Sequence, residues 1–133
     1  MRIRLLLAVA CVALSGCTTT SLVTGPQSGP STASIADALG GGLVGQLGVD
    51  LGRDRRRALE AEYSALEHTP AGRSVPWRGD GGRWSGEVVA AQPYRVGSQD
   101  CRQYTHRLLD GQQPREARGT ACRNADGSWT PLT

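Results

Sequence analysis

The chain has 133 residues, a formal net charge of +3, 38% hydrophobic residues and only 5% aromatic ones, with no phenylalanine. That length bounds it to one small domain plus non-domain segments and excludes a large enzyme. All 15 basic residues are arginine, which excludes P-loop lysine, Schiff-base lysine and Ser-Lys dyad chemistry.

Residues 1–16 read as a signal peptide, with Arg2 and Arg4 ahead of the ten-residue apolar run Leu5 to Leu14. That run is shorter than the ~20 residues a transmembrane helix needs. Its ending, Leu14-Ser15-Gly16-Cys17, resembles the lipobox of bacterial lipoproteins. The resemblance implies cleavage before Cys17 and acylation of its thiol by palmitate-like chains. Thr18, standing where an aspartate would retain such a protein at the inner membrane, implies the outer membrane of a Gram-negative envelope. Cleavage leaves 117 of the 133 residues and lowers the charge to +1, so no nucleic-acid partner is expected. Cys11 leaves with the signal, and Cys101 and Cys122 remain as an even set in an oxidising compartment, where a disulfide is expected.

Residues 17–34 are rich in Thr, Ser, Gly and Pro and read as a lipidated, flexible tether. Residues 35–52 carry Gly41, Gly45, Gly48 and Gly52 at spacings of 4, 3 and 4. On a helix these four form one narrow stripe, a glycine-zipper pattern suited to close helix packing and to a homo-oligomer. The twelve uncharged residues between Asp37 and Asp50 reach only ~18 Å as a helix, too short to span a ~30 Å hydrocarbon core.

Residues 53–69 read as a charged amphipathic helix: Leu59, Tyr63 and Leu66 recur at helical spacing, Arg56 precedes Glu60 by four, and Asp54 is the candidate cap. Pro70 and Gly72 end it. Arg53, Arg55, Arg56 and Arg57 offer phosphate-binding groups, although a solvated face interleaved with acids accounts for them as well.

Residues 70–133 switch to short extended stretches separated by Gly, Asp and Pro turn signals, which makes the fold class α+β with a small antiparallel sheet. Trp77, Trp84, Tyr94, Tyr104 and Trp129 are its expected core. A type II′ turn at Gly111-Gln112 sets a hairpin register in which Cys101 faces Cys122 in a non-hydrogen-bonded pair, Cα atoms ~4.5 Å apart and within disulfide reach. The rival turn at Asp110-Gly111 leaves the two cysteines diagonal at ~7–8 Å. A zinc site from Cys101, His106 and Cys122 is disfavoured, because His106 lies on the opposite strand face from Cys101 and no fourth ligand is evident.

Together the lipobox, the glycine stripe, Asp54-Arg55-Arg56, Ala65-Leu66-Glu67, Trp77-Arg78, Cys101-Arg102-Gln103-Tyr104-Thr105, Gly119-Thr120-Ala121-Cys122-Arg123 and Asp126-Gly127-Ser128-Trp129 resemble the rickettsial 17 kDa surface antigen family of outer-membrane lipoproteins. The family usually carries a longer glycine region than the single stripe here. The resemblance implies a surface or envelope protein and no catalytic residues. His68, His106, Glu87 and Asp100 likewise have no adjacent nucleophile or partner in sequence, and neither a cofactor nor a small-molecule substrate is expected. The expected function is therefore a lipid-anchored, non-enzymatic surface-antigen-like protein. The alternative is a binding module for peptidoglycan, lipopolysaccharide or a protein partner, which nine arginines against six acids after residue 72 favour only mildly.

Overall fold

The computed structural model describes residue 35 and residues 37–109 and 113–132. The expected signal peptide, tether and lipidated Cys17 lie outside the described residues, as do Gly111 and Gln112 of the expected turn. Helix α1 (Arg55–Glu67) forms where its apolar positions recur every three or four residues, burying Ala58, Leu59, Ala61, Ala65 and Leu66. Arg56 and Glu60 pair across one turn, as their spacing implies. Asp54 occupies the N-cap position but its side chain makes no capping hydrogen bond. Its carboxylate instead packs against Gly79, where any Cβ would collide with it.

Six strands follow: β1 (Ser74–Arg78), β2 (Ser85–Ala90), β3 (Tyr94–Val96), β4 (Gln99–Leu109), β5 (Arg115–Arg123) and β6 (Trp129–Leu132). All pair antiparallel in the order β1-β2-β4-β5-β6, with β3 also on β4. Ala90 opposes Tyr104 but Tyr94 opposes Cys101, so a slip between β2 and β3 takes up one extra residue beside Pro93.

The β4–β5 register is the expected one, with Leu108 opposite Arg115 and Cys101 opposite Cys122. The Ala91 N–H donates to the Gln103 carbonyl, so odd-numbered β4 residues turn their backbone toward β2 and even-numbered ones toward β5. Cys101 and Cys122 therefore form a non-hydrogen-bonded pair, and their disulfide joins Cα atoms 4.0 Å apart. Extending the same alternation outward turns the nitrogens of Pro76 on β1 and Pro131 on β6 away from the sheet. Each edge strand thus presents a position with no donor to an incoming strand, a device against edge-to-edge association.

One face of the sheet carries Trp77, Val88, Ala90, Tyr104, Leu108, Ala117, Ala121 and Trp129 into a core shared with α1. Two of the five expected core aromatics depart from it: Trp84 is only partly buried and Tyr94 is 43% exposed. Tyr94 follows the one-residue slip between β2 and β3, which pairs it with Cys101 and turns it to the outer face, away from the helix.

The larger correction concerns residues 35–52, which do not form a glycine-striped helix. Ile35, Asp37 and Ala38 are helical, but from Leu39 on the chain is a run of tight turns, with Gly40, Gly41, Gly42, Gly48 and Gly52 at positive φ and a 3-10 turn at Val44–Leu47. Gly41, Gly48 and Gly52 thus reverse the chain instead of lining a helix face. At Gly45 no atom of the described residues comes within 4 Å of a Cβ placed there. Between the turns, Leu39, Leu43, Val44, Leu47 and Leu51 drop into the same core as α1 and the sheet. Leucines four apart can fill a core from consecutive turns as readily as from a helix, and three adjacent glycines favour the turns. Among the described residues no helix is long and apolar enough to cross a membrane.

A substitution separates the two conformations. At Gly48, where φ is 70° and the nearest group to an added Cβ is the end of Arg115 at 3.5 Å, alanine should destabilise by about 1–2 kcal/mol because only the backbone is strained. In a helix the same change would stabilise by about 1 kcal/mol. Urea unfolding of Gly48→Ala measures the sign.

Candidate functional site

The most tightly built polar arrangement lies between α1 and the sheet. His106 projects from the inner face of β4 and Glu62 from the buried face of α1, both fully buried, with His106 Nδ1 2.6 Å from Glu62 Oε1. Trp77 Nε1 donates to His106 Nε2 at 2.9 Å. An indole N–H can only donate, so Nε2 must be the unprotonated nitrogen and Nδ1 carries the proton given to Glu62. The imidazole is therefore neutral and the carboxylate anionic. The second carboxylate oxygen accepts the Leu43 backbone N–H at 2.9 Å. One buried carboxylate thereby fastens α1, β4 and the glycine-rich segment, and through His106 it also engages β1.

Two glycines make room for this network. A Cβ at Gly42 would collide with Glu62 Oε2, and one at Gly86 would fall 2.7 Å from Trp77 Nε1. Gly86 stands opposite Trp77 and lets the indole cross β2 to reach His106. The Tyr104 hydroxyl is buried nearby with no hydrogen-bond partner among the described residues, and burial, helped by the charge of Glu62, pushes it well above the usual phenol range.

A second set of contacts locks the other end of the helix. Arg102, 6% exposed, donates through Nη1 to the carbonyls of Ala65, Leu66 and Thr69 at 2.9, 2.7 and 3.1 Å, and through Nε to Ala91 O at 2.8 Å. It satisfies the carbonyls that a helix C-terminus leaves without partners, and burial lowers its affinity for the proton. Arg123 grips Glu67 with two bonds of 2.8 Å, and Trp129 Nε1 donates to the same carboxylate at 2.9 Å. The Arg123 hydrogen bond chiefly holds Glu67 below the usual carboxylate range, against the opposing effect of desolvation. Tyr63 donates to Gly127 O at 3.2 Å. Gly119 stays small because a Cβ there would meet Leu43 Cδ2 at 2.8 Å.

These contacts account for most residues of the two cysteine-containing motifs. Cys101 and Cys122 are bonded, Arg102 and Arg123 hold the helix, Tyr104 and Ala121 fill the core, and Gly119 admits Leu43. The zinc alternative fails on the same facts, since both thiols are consumed in the disulfide and His106 lies on the opposite face. Glu87 and Asp100 do have partners: Glu87 binds Ser74 and Arg107, and Asp100 binds Arg95. Glu87 belongs to a charge ladder across the outer face, in which Arg107 bridges Glu87 and Glu116, and Glu116 also accepts from Arg118. His68 is exposed at the end of α1, its ring edge-on to Tyr63.

Open grooves mark the surface of the described residues, among them two of nearly equal volume. One, of about 470 Å³, runs over the outer face among Val89, Gln103, Thr105, Arg118 and Thr120. The other, of about 480 Å³, lies at the N-terminal end of α1 among Asp50, Arg53, Asp80, Arg83 and Trp84, with the Arg83 guanidinium 5.1 Å above the Trp84 ring. Among the described residues, no group of three or more His, Cys, Asp or Glu side chains is placed to hold a metal ion.

A family described as "17 kDa outer membrane surface antigen" matches residues 64–130, from within α1 to β6. The 17 kDa surface antigen of Rickettsia bellii is 37% identical over 120 residues, covering 84% of this chain and 74% of its own. That of Rickettsia felis is 41% identical over 78 residues, covering 58% of this chain and 49% of its own, and that of Rickettsia rickettsii is 40% identical over 79 residues with the same coverages. No solved structure matches the chain.

The clamps can be separated by stability. Removing the Glu62 carboxylate leaves the His106 and Leu43 N–H groups buried without acceptors, so Glu62→Ala should cost at least ~3 kcal/mol in chemical unfolding. Glu67 differs because its lowered pKa couples to pH: its contribution is complete above the unfolded value near 4.5 and is lost as pH falls below it. Glu67→Gln should cost about 1–3 kcal/mol at pH 7 and flatten the acid slope of stability below pH ~5, as read from denaturation midpoints across pH.

Proposed function

The chain belongs to the 17 kDa outer membrane surface antigen family, and from that premise we propose that it is a lipid-anchored, non-enzymatic envelope protein whose folded part is a rigid, disulfide-stapled module held at the outer membrane. The observation that carries the reading is the direction in which its motif residues point. Cys101, Arg102, Tyr104, Ala121, Cys122 and Arg123 fasten helix to sheet and strand to strand, and none of their side chains converges on an enclosed cavity. The Glu62–His106 pair, which has the composition of a catalytic dyad, is sealed from solvent and bound at every ring nitrogen. It has no access for a substrate. The Leu14-Ser15-Gly16-Cys17 sequence supports attachment through an acylated Cys17.

The second reading is a binding module for an envelope component. The groove at Arg53, Arg83 and Trp84 favours it, because that groove offers cations and an incompletely buried aromatic ring, whereas the outer-face arginines Arg107 and Arg118 are engaged with Glu87 and Glu116.

Intact mass measurement of the chain extracted from the membrane fraction, alkylated with and without reductant, tests the leading reading. The expected mass is that of residues 17–133 with acyl chains on Cys17 and no alkylation until reduction exposes Cys101 and Cys122. An unacylated Cys17 in the soluble fraction would contradict the anchor.

A further inference from the structure

The basic end of α1 is arranged against the electrostatics of the helix. The N-terminus of a helix carries roughly half a positive charge and favours acids, yet Arg55, Arg56 and Arg57 open α1 and Arg53 immediately precedes its N-cap. Local compensation is partial. Arg56 and Arg57 share Glu60 and Asp80, Asp54 is buried, and Asp50 Oδ1 accepts the Gly52 N–H of its own turn. Arg83, on the loop that brings Asp80 to the helix, stacks on Trp84 beside Arg53. Among the described residues, six arginines at this pole (53, 55, 56, 57 and 83, with 78 beside Arg57 and Glu60) face four acids (Asp50, Asp54, Glu60 and Asp80), and the unfavourable half-charge of the helix adds to the surplus. A cluster that opposes its own helix and is only partly neutralised points to an external anion.

Trp84 narrows the kind of anion. The buried tryptophans, Trp77 and Trp129, spend their indole N–H groups on His106 and Glu67, while Trp84 is the incompletely buried one and sits at the arginine pole. Planar guanidinium groups grip phosphate oxygens in pairs, and an amphipathic indole favours the headgroup level of a bilayer. We propose that this pole, formed by Arg53, Arg55, Arg83 and Trp84, docks the module on the phosphate-bearing headgroup surface of a phospholipid membrane. The proposal rests on the lipid-anchored reading for its setting. The anchor brings the chain to the surface, and the arginine pole selects which end of the module faces it. Each arginine near an anionic surface contributes enough that removing three lowers the docked population on the order of a hundredfold.

The test uses the acylated full-length mature chain in vesicles of phosphatidylcholine alone and of equal parts phosphatidylcholine and phosphatidylglycerol, each doped with a quencher at headgroup depth. Trp84 fluorescence should be quenched in the anionic vesicles, return to the phosphatidylcholine level in ~1 M salt, where screening extends to only ~3 Å, and stay there in an Arg53→Gln, Arg55→Gln, Arg83→Gln variant with unchanged thermal unfolding. Loss of the quenched signal in Trp84→Phe would identify the reporter. A chain retained by both vesicle types with equal, salt-insensitive Trp84 emission would overturn the docking while leaving the anchor standing. A chain absent from phosphatidylcholine vesicles yet bound and quenched in anionic ones would remove the anchor and leave the docking. A Trp84 change produced equally by a soluble phosphorylated glycan, without vesicles, would overturn the membrane as the partner.

Discussion

A carboxylate withdrawn from water must be given donors or it unfolds the structure that buries it, since the effective penalty is several kcal/mol per ion. Glu62 meets that demand from two directions, through the His106 ring and the Leu43 backbone N–H. Both donors are fixed by other constraints. Trp77 orients the imidazole, Gly86 lets Trp77 reach it, and Gly42 lets the chain turn close enough for Leu43 to bond. The position of the glycine-rich segment, the seating of α1 and the packing of β1 against β4 all converge on one anion, so the three layers are energetically coupled.

The remaining polar contacts extend the same principle to the far end of the helix. Arg102 satisfies the helix carbonyls from beneath and Arg123 with Trp129 holds Glu67 from the side, so a sheet with few large apolar residues secures its helix by directional bonds. The disulfide joins β4 to β5 on the opposite face and contributes about 3 kcal/mol on the chain-entropy account, a large share for so small a core. With Pro76 and Pro131 blunting both edges and the outer ladder largely neutralised, the arginine pole is left, among the described residues, with Arg53, Arg55 and Arg83 outside the ion pairs that engage Arg56 and Arg57.

Much of this was legible in the sequence where local rules act alone. The spacing of Leu59, Tyr63 and Leu66 marked α1, and turn chemistry around residues 111 and 112 led to the register that faces Cys101 with Cys122. The helical reading of the glycine-rich segment fails because spacings of 4, 3 and 4 are shared by a helical stripe and by successive turns, and only tertiary contact chooses between them. The Glu62–His106–Trp77 network was illegible as a unit, since 44 residues separate the acid from the histidine. A signal for its parts existed. Glu62 falls on the buried stripe of α1 with Ala58, Leu59, Ala65 and Leu66, and His106 alternates with Tyr104 and Leu108 on the inner face of β4. A charged residue on an apolar stripe demands a buried partner. Trp84 stands in the turn just before β2, and Tyr94 is carried to the outer face by the slip between β2 and β3, neither of which a local pattern encodes.

The coupling of the glycine-rich segment to the sheet through Glu62 is tested most directly by hydrogen exchange at the Leu43 amide. That N–H lies outside any strand or α-helix and is bonded to a side-chain carboxylate 19 residues away. If Glu62 is the anchor of the structure, the Leu43 amide exchanges as slowly as the central amides of β4, through global unfolding. Exchange at the rate of an exposed loop, with β4 still protected, would show that the segment opens independently and would contradict the account.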